Sequence, residues 1–426
     1  MITNYIVLVI PLLISGPFLP DLFVSISSLI FLFYVFKNKH FSYFNNKPLL
    51  IFFIFCVYAI FCSLISENIL LSLESSLFYF RIGIFACLIW YCIDRDRKIL
   101  NYFYYILLIS FSVLVVDGYI QFISGKNILG YQTVYGVHVS SFFNDELILG
   151  SYLSRLFPLL FALFLIKDKA KYELYYVGIL FILVDVLIYI SAERTAFVFL
   201  NLSTIFMIIL INKYQKFRLI IFLISLVAVF LLTYFNDNLH QRMILDPGQK
   251  MGLINTNDNE KEQKIYTQKK YIFSPVHDSL VRTALKMFMD KPIIGHGPKM
   301  FRIKCKEKKY QIGINPCQTH PHNFYIQLLA EMGIVGFTFL FAVFSYVIYV
   351  SCHQLKSIIL KQERYLTDYQ VCLLAGIFVT VWPIAPNGNF FNNWLAITYS
   401  LPFGFYLESI YDKKNPRAKI LIKKEL

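Results

Sequence analysis

Charge is what this chain has least of. Only 15 % of its 426 residues are Asp, Glu, Lys or Arg, and 57 % are hydrophobic, against a charged share of about a quarter in an ordinary soluble domain. That shortage excludes a disordered chain, which combines low hydrophobicity with high charge. Also missing are a glycine-rich phosphate loop, a dinucleotide fingerprint and paired Cys-x-x-Cys ligands, so the P-loop, Rossmann and zinc-ribbon classes fall away. What is present is apolar bulk: 43 Phe, 30 Tyr and 3 Trp make 18 % aromatics, and the mean hydropathy is +0.58. These residues gather in runs close to the ~20 needed to cross a bilayer. The sequence is therefore that of an all-α polytopic membrane protein. A net charge of +14 would suggest nucleic acid in a soluble chain, but in a membrane protein the placement of Lys and Arg decides, and no nucleic-acid partner is expected.

Apolar runs between polar breaks predict about twelve transmembrane helices, at 3–16, 22–36, 48–66, 75–93, 98–117, 146–166, 172–190, 194–211, 217–235, 322–350, 366–384 and 389–408. With the N-terminus inside, the inner loops and tail carry twenty-one Lys and Arg, whereas the short outer segments carry only Lys126 and Arg194. The positive-inside rule then places both termini in the cytoplasm. The first run passes into the second through GPFLPD without an A-x-A-like site, so it is read as retained helices rather than a cleaved signal. The expected division is 1–235 for transmembrane helices 1 to 9, 236–321 for one large periplasmic loop domain, 322–408 for transmembrane helices 10 to 12, and 409–426 for a basic cytoplasmic tail. Within the loop, SLVRTALKMFMDKPIIGHG has the apolar spacing of a short amphipathic helix. The loop holds fifteen Lys and Arg, which suits an anionic partner or simply a face opposite anionic membrane lipids.

Six of the eight cysteines lie in or beside apolar runs and read as small packers. Cys305 and Cys317, with eleven residues between them in the outer loop, are candidates for a disulfide under oxidising conditions. Ionisable residues inside spans are costly and mark cavities or partners. Counted inward at about 1.5 Å per residue, Arg81, Arg155, Asp185 and Glu331 all fall in the outer half of the bundle, which fits one outward-opening polar chamber. Equal depth pairs Arg155 with Glu331, and Arg81 with Asp185 or Glu331. Such pairs would either line the chamber or lock the bundle.

The segment CQTHPHNFYIQLLAEMGIVG, 317–336, carries the most chemistry. Pro321 suits the first turn of a helix capped by His320 or Thr319, leaving the amides of His322, Asn323 and Phe324 open to an anion such as phosphate. His320 and His322 could serve there as base, proton shuttle or hydrogen-bond donor. A metal site is not expected, because no suitably spaced carboxylate or Cys completes it. Arg282 and Arg302 flank this segment, and Arg194 stands at the outer start of a helix. Singly, each could anchor a lipid headgroup; converging, they would clamp a diphosphate through paired hydrogen bonds.

On YIQFISGKNILG with SSFFNDELILGSYLSRLFPLL, SAERTAF, the Arg282 segment ending DKPIIGHGPKMF, and HPHNFYIQLLAEMGIVG, the chain resembles the superfamily of O-antigen ligases and O-antigen polymerases. The resemblance implies a fold similar to type C glycosyltransferases and transfer of a glycan from an undecaprenyl-diphosphate-linked donor to a hydroxyl of lipid A-core at the periplasmic face of the bacterial inner membrane, without metal, nucleotide or other cofactor. The histidine such ligases require corresponds to His322, and their arginines to Arg194 and Arg282. His320, Asn323, Arg302, Arg155, Arg81 and Glu331 are the further residues expected to bind substrate. A polymerase joining lipid-linked repeats would share the donor. A transporter or flippase would need polar residues through both leaflets, and the nearly charge-free inner halves of the spans count against it.

Overall fold

A computed structural model describes residues 5–167, 171–254 and 270–411. The basic tail from 412 and all but the last residue of NTNDNEKEQKIYTQKK lie outside the described residues. Those described form helices and turns without a strand, and the only β pairing is two isolated bridges, Lys126 with Gln132 and Val134 with His138.

The helices of eight residues or more are α1 (Phe18–Asn38), α2 (Lys47–Leu64), α3 (Ile69–Ser76), α4 (Arg81–Arg95), α5 (Ile99–Ser124), α6 (Leu149–Ile166), α7 (Lys171–Ile190), α8 (Arg194–Leu210), α9 (Gln215–Phe235), α10 (Pro275–Asp290), α11 (Phe324–Ile359), α12 (Asp368–Thr380) and α13 (Asn393–Tyr411). Several starts follow from local chemistry. The side chains of Asn46, Asn68 and Thr367 cap α2, α3 and α12 by accepting from backbone amides of the first turn.

Eight helical stretches are long and apolar enough to span a membrane: α1, α2, the joined Ile69–Arg95, α5, α6, Tyr172–Ile190 within α7, α9 and α11. The other four of the twelve expected spans are helical but fall short. Ile6–Ser15 is broken into short turns around Pro11. Arg194–Leu210 has 17 residues. The 13 residues of α12 reach only about 20 Å, against about 30 Å of hydrocarbon. The fourth, α13, contains Pro402 and the polar side chains Thr398, Ser400 and Glu408, which lower its hydropathy. It packs instead inside the bundle, chiefly against α4 and α12. Apolar on nearly every side and buried from Tyr152 to Leu165, α6 forms the centre of the bundle against α8 and α12.

The expected amphipathic helix of the long polar segment is α10. Ser274 caps it, accepting from the His277 amide at 3.2 Å, and Pro275 occupies the first turn. Leu280, Ala284 and Met287 share one face and are buried with Phe301, Cys305, Tyr310 and Ala330 in a second, smaller core. Cys305 and Cys317 are joined as a disulfide beside it.

The join between this segment and the bundle is a backbone exchange. At Gly333, with φ +66° and ψ −163°, the path of α11 is broken. There the Ile334 N–H donates to Pro292 O at 2.8 Å, while Ala330 O and Glu331 O accept from the amides of His296 at 3.1 Å and Gly297 at 2.7 Å. The Tyr58 hydroxyl closes the junction by donating to Ile293 O and Met332 O, each at 3.0 Å. A Cβ at Gly333 would stand 2.2 Å from Ile293 O, and one at Gly295 2.4 Å from the Glu331 carbonyl carbon. Both the left-handed backbone and the close approach require glycine. Gly333→Ala is therefore expected to cost about 2 kcal/mol or more, read as a lowered thermal midpoint and faster proteolysis around 292–304. A wild-type midpoint would show that the junction does not hold the segment.

Candidate functional site

Beneath the polar segment that carries α10, where α6, α8 and α13 begin, the structure forms an open cavity of about 1040 Å³, at the large end of ligand sites. Arg155, Arg194, Arg302, Lys250 and Lys299 line it against Glu74, Glu146 and Glu193, so cations outnumber acids, and His277 and His320 contribute imidazoles.

Each arginine is held without a carboxylate. Arg155, only 4 % exposed, donates to Ser151 Oγ at 2.6 Å and Asn387 Oδ1 at 3.1 Å. Its guanidinium carbon lies 4.8 Å from the Phe199 ring centroid and 5.4 Å from that of Tyr399, cation–π contacts that partly replace water. Arg194 donates to Arg242 O at 2.7 Å. The Nε atoms of Arg155 and Arg302 are buried without a hydrogen-bond partner. Among the described residues, none of the three guanidiniums lies within ion-pair distance of a carboxylate.

The nearest acid in sequence is turned elsewhere. Glu193, in the turn before α8, accepts from the amides of Gly150 at 2.6 Å and Ser151 at 3.2 Å, so it closes the start of α6. Burial pushes its carboxyl up to about 7, against the opposing pull of those two amides and of Arg155. Glu74, also on the wall, is paired with Lys299 at 2.8 Å.

Three imidazoles form a row at the cavity's outer side. The ring centroids of His320 and His322 are 4.2 Å apart, and those of His322 and His277 5.7 Å. His322 Nε2 lies 2.6 Å from Gln318 Oε1, and His320 Nδ1 2.9 Å from Thr319 Oγ1. His320 Nε2 is buried without a partner. Burial, then the charges of His322 and Arg302, push His320 down to about 4. His277 and His322 are lowered in the same direction, first by burial.

Of the residues singled out in the sequence, Arg155, Arg194, Arg302 and His320 meet on this wall. His322 stands directly behind His320. Arg282 does not reach the wall; it pairs with Asp278 one turn away at 2.9 Å and is half exposed. The start of α11 differs from the expected one. His322 takes a left-handed backbone at φ +56°, and Asn323 is the cap, its Oδ1 accepting from the amides of Tyr325 at 3.0 Å and Ile326 at 3.1 Å. Its Nδ2 donates to Pro383 O at 2.8 Å and Ala385 O at 3.3 Å. Both ends of the amide are thus used internally, and these first-turn donors answer the cap rather than an anion.

The ion pairs inferred from equal depth are also corrected. Arg81 pairs with Asp21, not with Asp185 or Glu331. Asp185 accepts from Asn201 at 2.9 Å. Fully buried Glu331 receives the Phe301 amide at 3.1 Å and Gln327 Nε2 at 2.9 Å, with Arg155 elsewhere. Depth along a helix does not reveal which way the helix is turned. The wall residues that the sequence did not disclose are His277, Glu193, Lys299 and the asparagines of NGNFFNNW. Only the density of Asn in that last segment was a signal.

Helical composition and eight candidate spans define a polytopic membrane protein, with a cavity rich in cationic side chains at one end of its bundle. Residues 178–341, which carry Arg194, the outer segment and the start of α11, match a family model described as O-Antigen ligase. The match supports the O-antigen ligase superfamily, whose members are glycosyltransferase-like ligases or polymerases working in membranes on lipid-linked glycans. No curated protein matches the chain.

The histidine row sets a pH dependence. His320 is lowered in the folded chain, so folding releases its proton, and the stability it contributes is complete above about 6.5 and lost as pH falls toward 4. The thermal midpoint is expected to drop between pH 7 and pH 5, and His320→Gln to flatten that drop. An unchanged slope in the variant would remove His320 as its source.

Proposed function

We propose that this protein transfers a glycan from undecaprenyl diphosphate to lipid A-core at the periplasmic face of a bacterial inner membrane. The observation that carries the reading is the convergence of Arg155, Arg194 and Arg302, none paired with a carboxylate, on one cavity. Arg155 is buried, Arg302 half-buried and Arg194 exposed; a buried guanidinium without a carboxylate is costly unless an anion completes it, and a diphosphate does so with several oxygens at once.

In the proposed reaction the acceptor hydroxyl oxygen bonds to the anomeric carbon of the sugar. The bond from that carbon to the diphosphate oxygen breaks, and undecaprenyl diphosphate leaves with the electron pair. The arginines offset the charge growing on the leaving oxygen. The hydroxyl proton passes to a neutral imidazole. His320 presents an unpartnered Nε2 among the buried atoms of the wall, and His322, the position that resembles the family's required histidine, backs it at 4.2 Å. Because diphosphate is a good leaving group, positioning and charge dominate over proton transfer.

The test uses full-length protein in nanodiscs with a defined undecaprenyl-diphosphate-linked glycan and lipid A-core. A size shift of the lipid A-core is expected. Arg194→Ala and His322→Ala proteins of normal thermal midpoint should lose transfer by about 10²- to 10⁴-fold, and Arg302→Ala should lose more than Arg282→Ala. Longer lipid-linked glycans formed without lipid A-core would assign a polymerase instead. Full activity in both Arg194→Ala and His322→Ala would discard the site.

A further inference from the structure

The segment NGNFFNNW between α12 and α13 brings Asn387, Asn389 and Asn392 to the cavity wall. The orientation of each amide is fixed by an obligate donor. Arg155 Nη2 donates to Asn387 Oδ1 at 3.1 Å. The Phe391 amide donates to Asn389 Oδ1 at 2.9 Å, and Gln327 Nε2 to the same oxygen at 3.0 Å. The Leu395 amide donates to Asn392 Oδ1 at 3.0 Å, in the first turn of α13. Neither a guanidinium nor a backbone N–H can accept, so no amide can be flipped. All three oxygens are therefore used by the protein. Among the described residues, none of the three Nδ2 groups has an acceptor, and none is sealed away as a buried unpartnered atom.

We propose that these three amide nitrogens and Arg155 form a donor-only recess for an oxyanion of the ligand. Such a recess offers N–H groups and no acceptor. A neutral sugar, whose hydroxyls must donate as well as accept, would leave its own protons unanswered there, whereas a phosphate or carboxylate oxygen accepts only. The Arg155 cation, held between Phe199 and Tyr399, adds charge to the recess. The oxyanion is either the diphosphate of the lipid carrier or the carboxylate of an acidic sugar in the glycan. This deepens the transferase reading by naming what its chamber recognises.

Asn→Asp substitution tests the recess with little disturbance. Each Asp keeps the oxygen that the protein uses, replaces the free donor by an acceptor and adds a negative charge. Asn392→Ser, which keeps a cap oxygen without charge, is therefore measured beside them and is expected to weaken anion binding as well. At Asn392, the cap of α13, Asp serves equally well. Full-length protein in nanodiscs would be titrated with inorganic pyrophosphate, with glucuronate and with glucose. An anion is expected to bind, and Asn387→Asp and Asn392→Asp are each expected to weaken it at least tenfold, Asn392→Asp at unchanged thermal midpoint. Loss confined to pyrophosphate assigns the carrier's diphosphate, and loss confined to glucuronate an acidic sugar. Anion binding at wild-type strength in both variants, or glucose binding as tightly as the anions, overturns the proposal. Asn392→Asp, at an exposed position, decides the matter if Asn387→Asp folds poorly. The readout is binding, so it stands whether or not the protein transfers a glycan.

Discussion

The structure turns on a helix broken inside an apolar bundle. In an unbroken α11 the Ile334 amide would donate to Ala330 O; at Gly333 it cannot, and three backbone groups are released where lipid offers no partner. The stretch 292–297 answers them one for one, taking the Ile334 N–H on Pro292 O and supplying the His296 and Gly297 amides to Ala330 O and Glu331 O. This is why the polar segment is a fixed part of the bundle rather than an appendage. It also explains two glycines at once, since the fit tolerates a Cβ on neither side. The Glu331 side chain extends the junction in both directions. One oxygen holds the Phe301 amide of the outer segment, and the other receives Gln327, whose amide also reaches Asn389. A buried carboxylate with every neighbour a donor is thus a positioning group that fixes both the segment carrying Arg302 and the loop carrying the asparagines.

The chamber's charge depends on what the acids do not do. A guanidinium as buried as that of Arg155 would ordinarily recruit a carboxylate, because an isolated buried charge is expensive. Most candidates are engaged elsewhere: Glu193 on the start of α6, Glu331 on backbone and amide donors, Asp21 on Arg81, Glu74 on Lys299, while Glu146 is an exposed carboxylate of the wall outside ion-pair distance of the three guanidiniums. Neutral groups supply only partial compensation, through Ser151, Asn387 and Arg242 O and two aromatic faces. On the proposed reading, the remaining deficit is what an anion would fill. Filling it with carboxylates would stabilise the empty protein and abolish the site.

The fold was largely legible because hydropathy is a local property. Where described, each of the twelve apolar runs is largely helical, the first as a chain of short pieces, and the periodicity of Leu280, Ala284 and Met287 marked α10. Spanning length was less legible. The run 366–384 continues to Trp382 and Pro383, but the helix stops at Thr380. Within the site, Arg194, Arg155, Arg302 and His320 were found from charge placement and motif. The start of α11 was misread because Pro321 is a strong local signal, whereas Asn323 prevails by satisfying four groups, two of them on the distant stretch 383–385. The pairs of Arg155 and Arg81 were misread because partners depend on helix rotation and on loops far along the chain, neither of which periodicity encodes. The asparagine segment was the least legible, since its donors acquire meaning only once their oxygens are seen to be occupied.

The two halves of the chamber belong to different parts of the chain. Arg155, Arg194 and the asparagines sit on the helical bundle, while Arg302, Lys299 and His320 sit on the outer segment. That segment is fastened at 292–297 by the Gly333 junction and at its C-terminal end by the backbone N–H of Asn387, which donates to His322 O at 2.8 Å. Ion pairs of Lys299 with Glu74 and Lys304 with Glu67 add lateral ties to the turn around α3. An anion bound across the cavity would touch donors from both halves and so add a further tie between them. Binding and the docking of the segment are then one equilibrium: whatever loosens the junction lowers affinity for the anion, and the anion in turn stabilises the junction to the same extent.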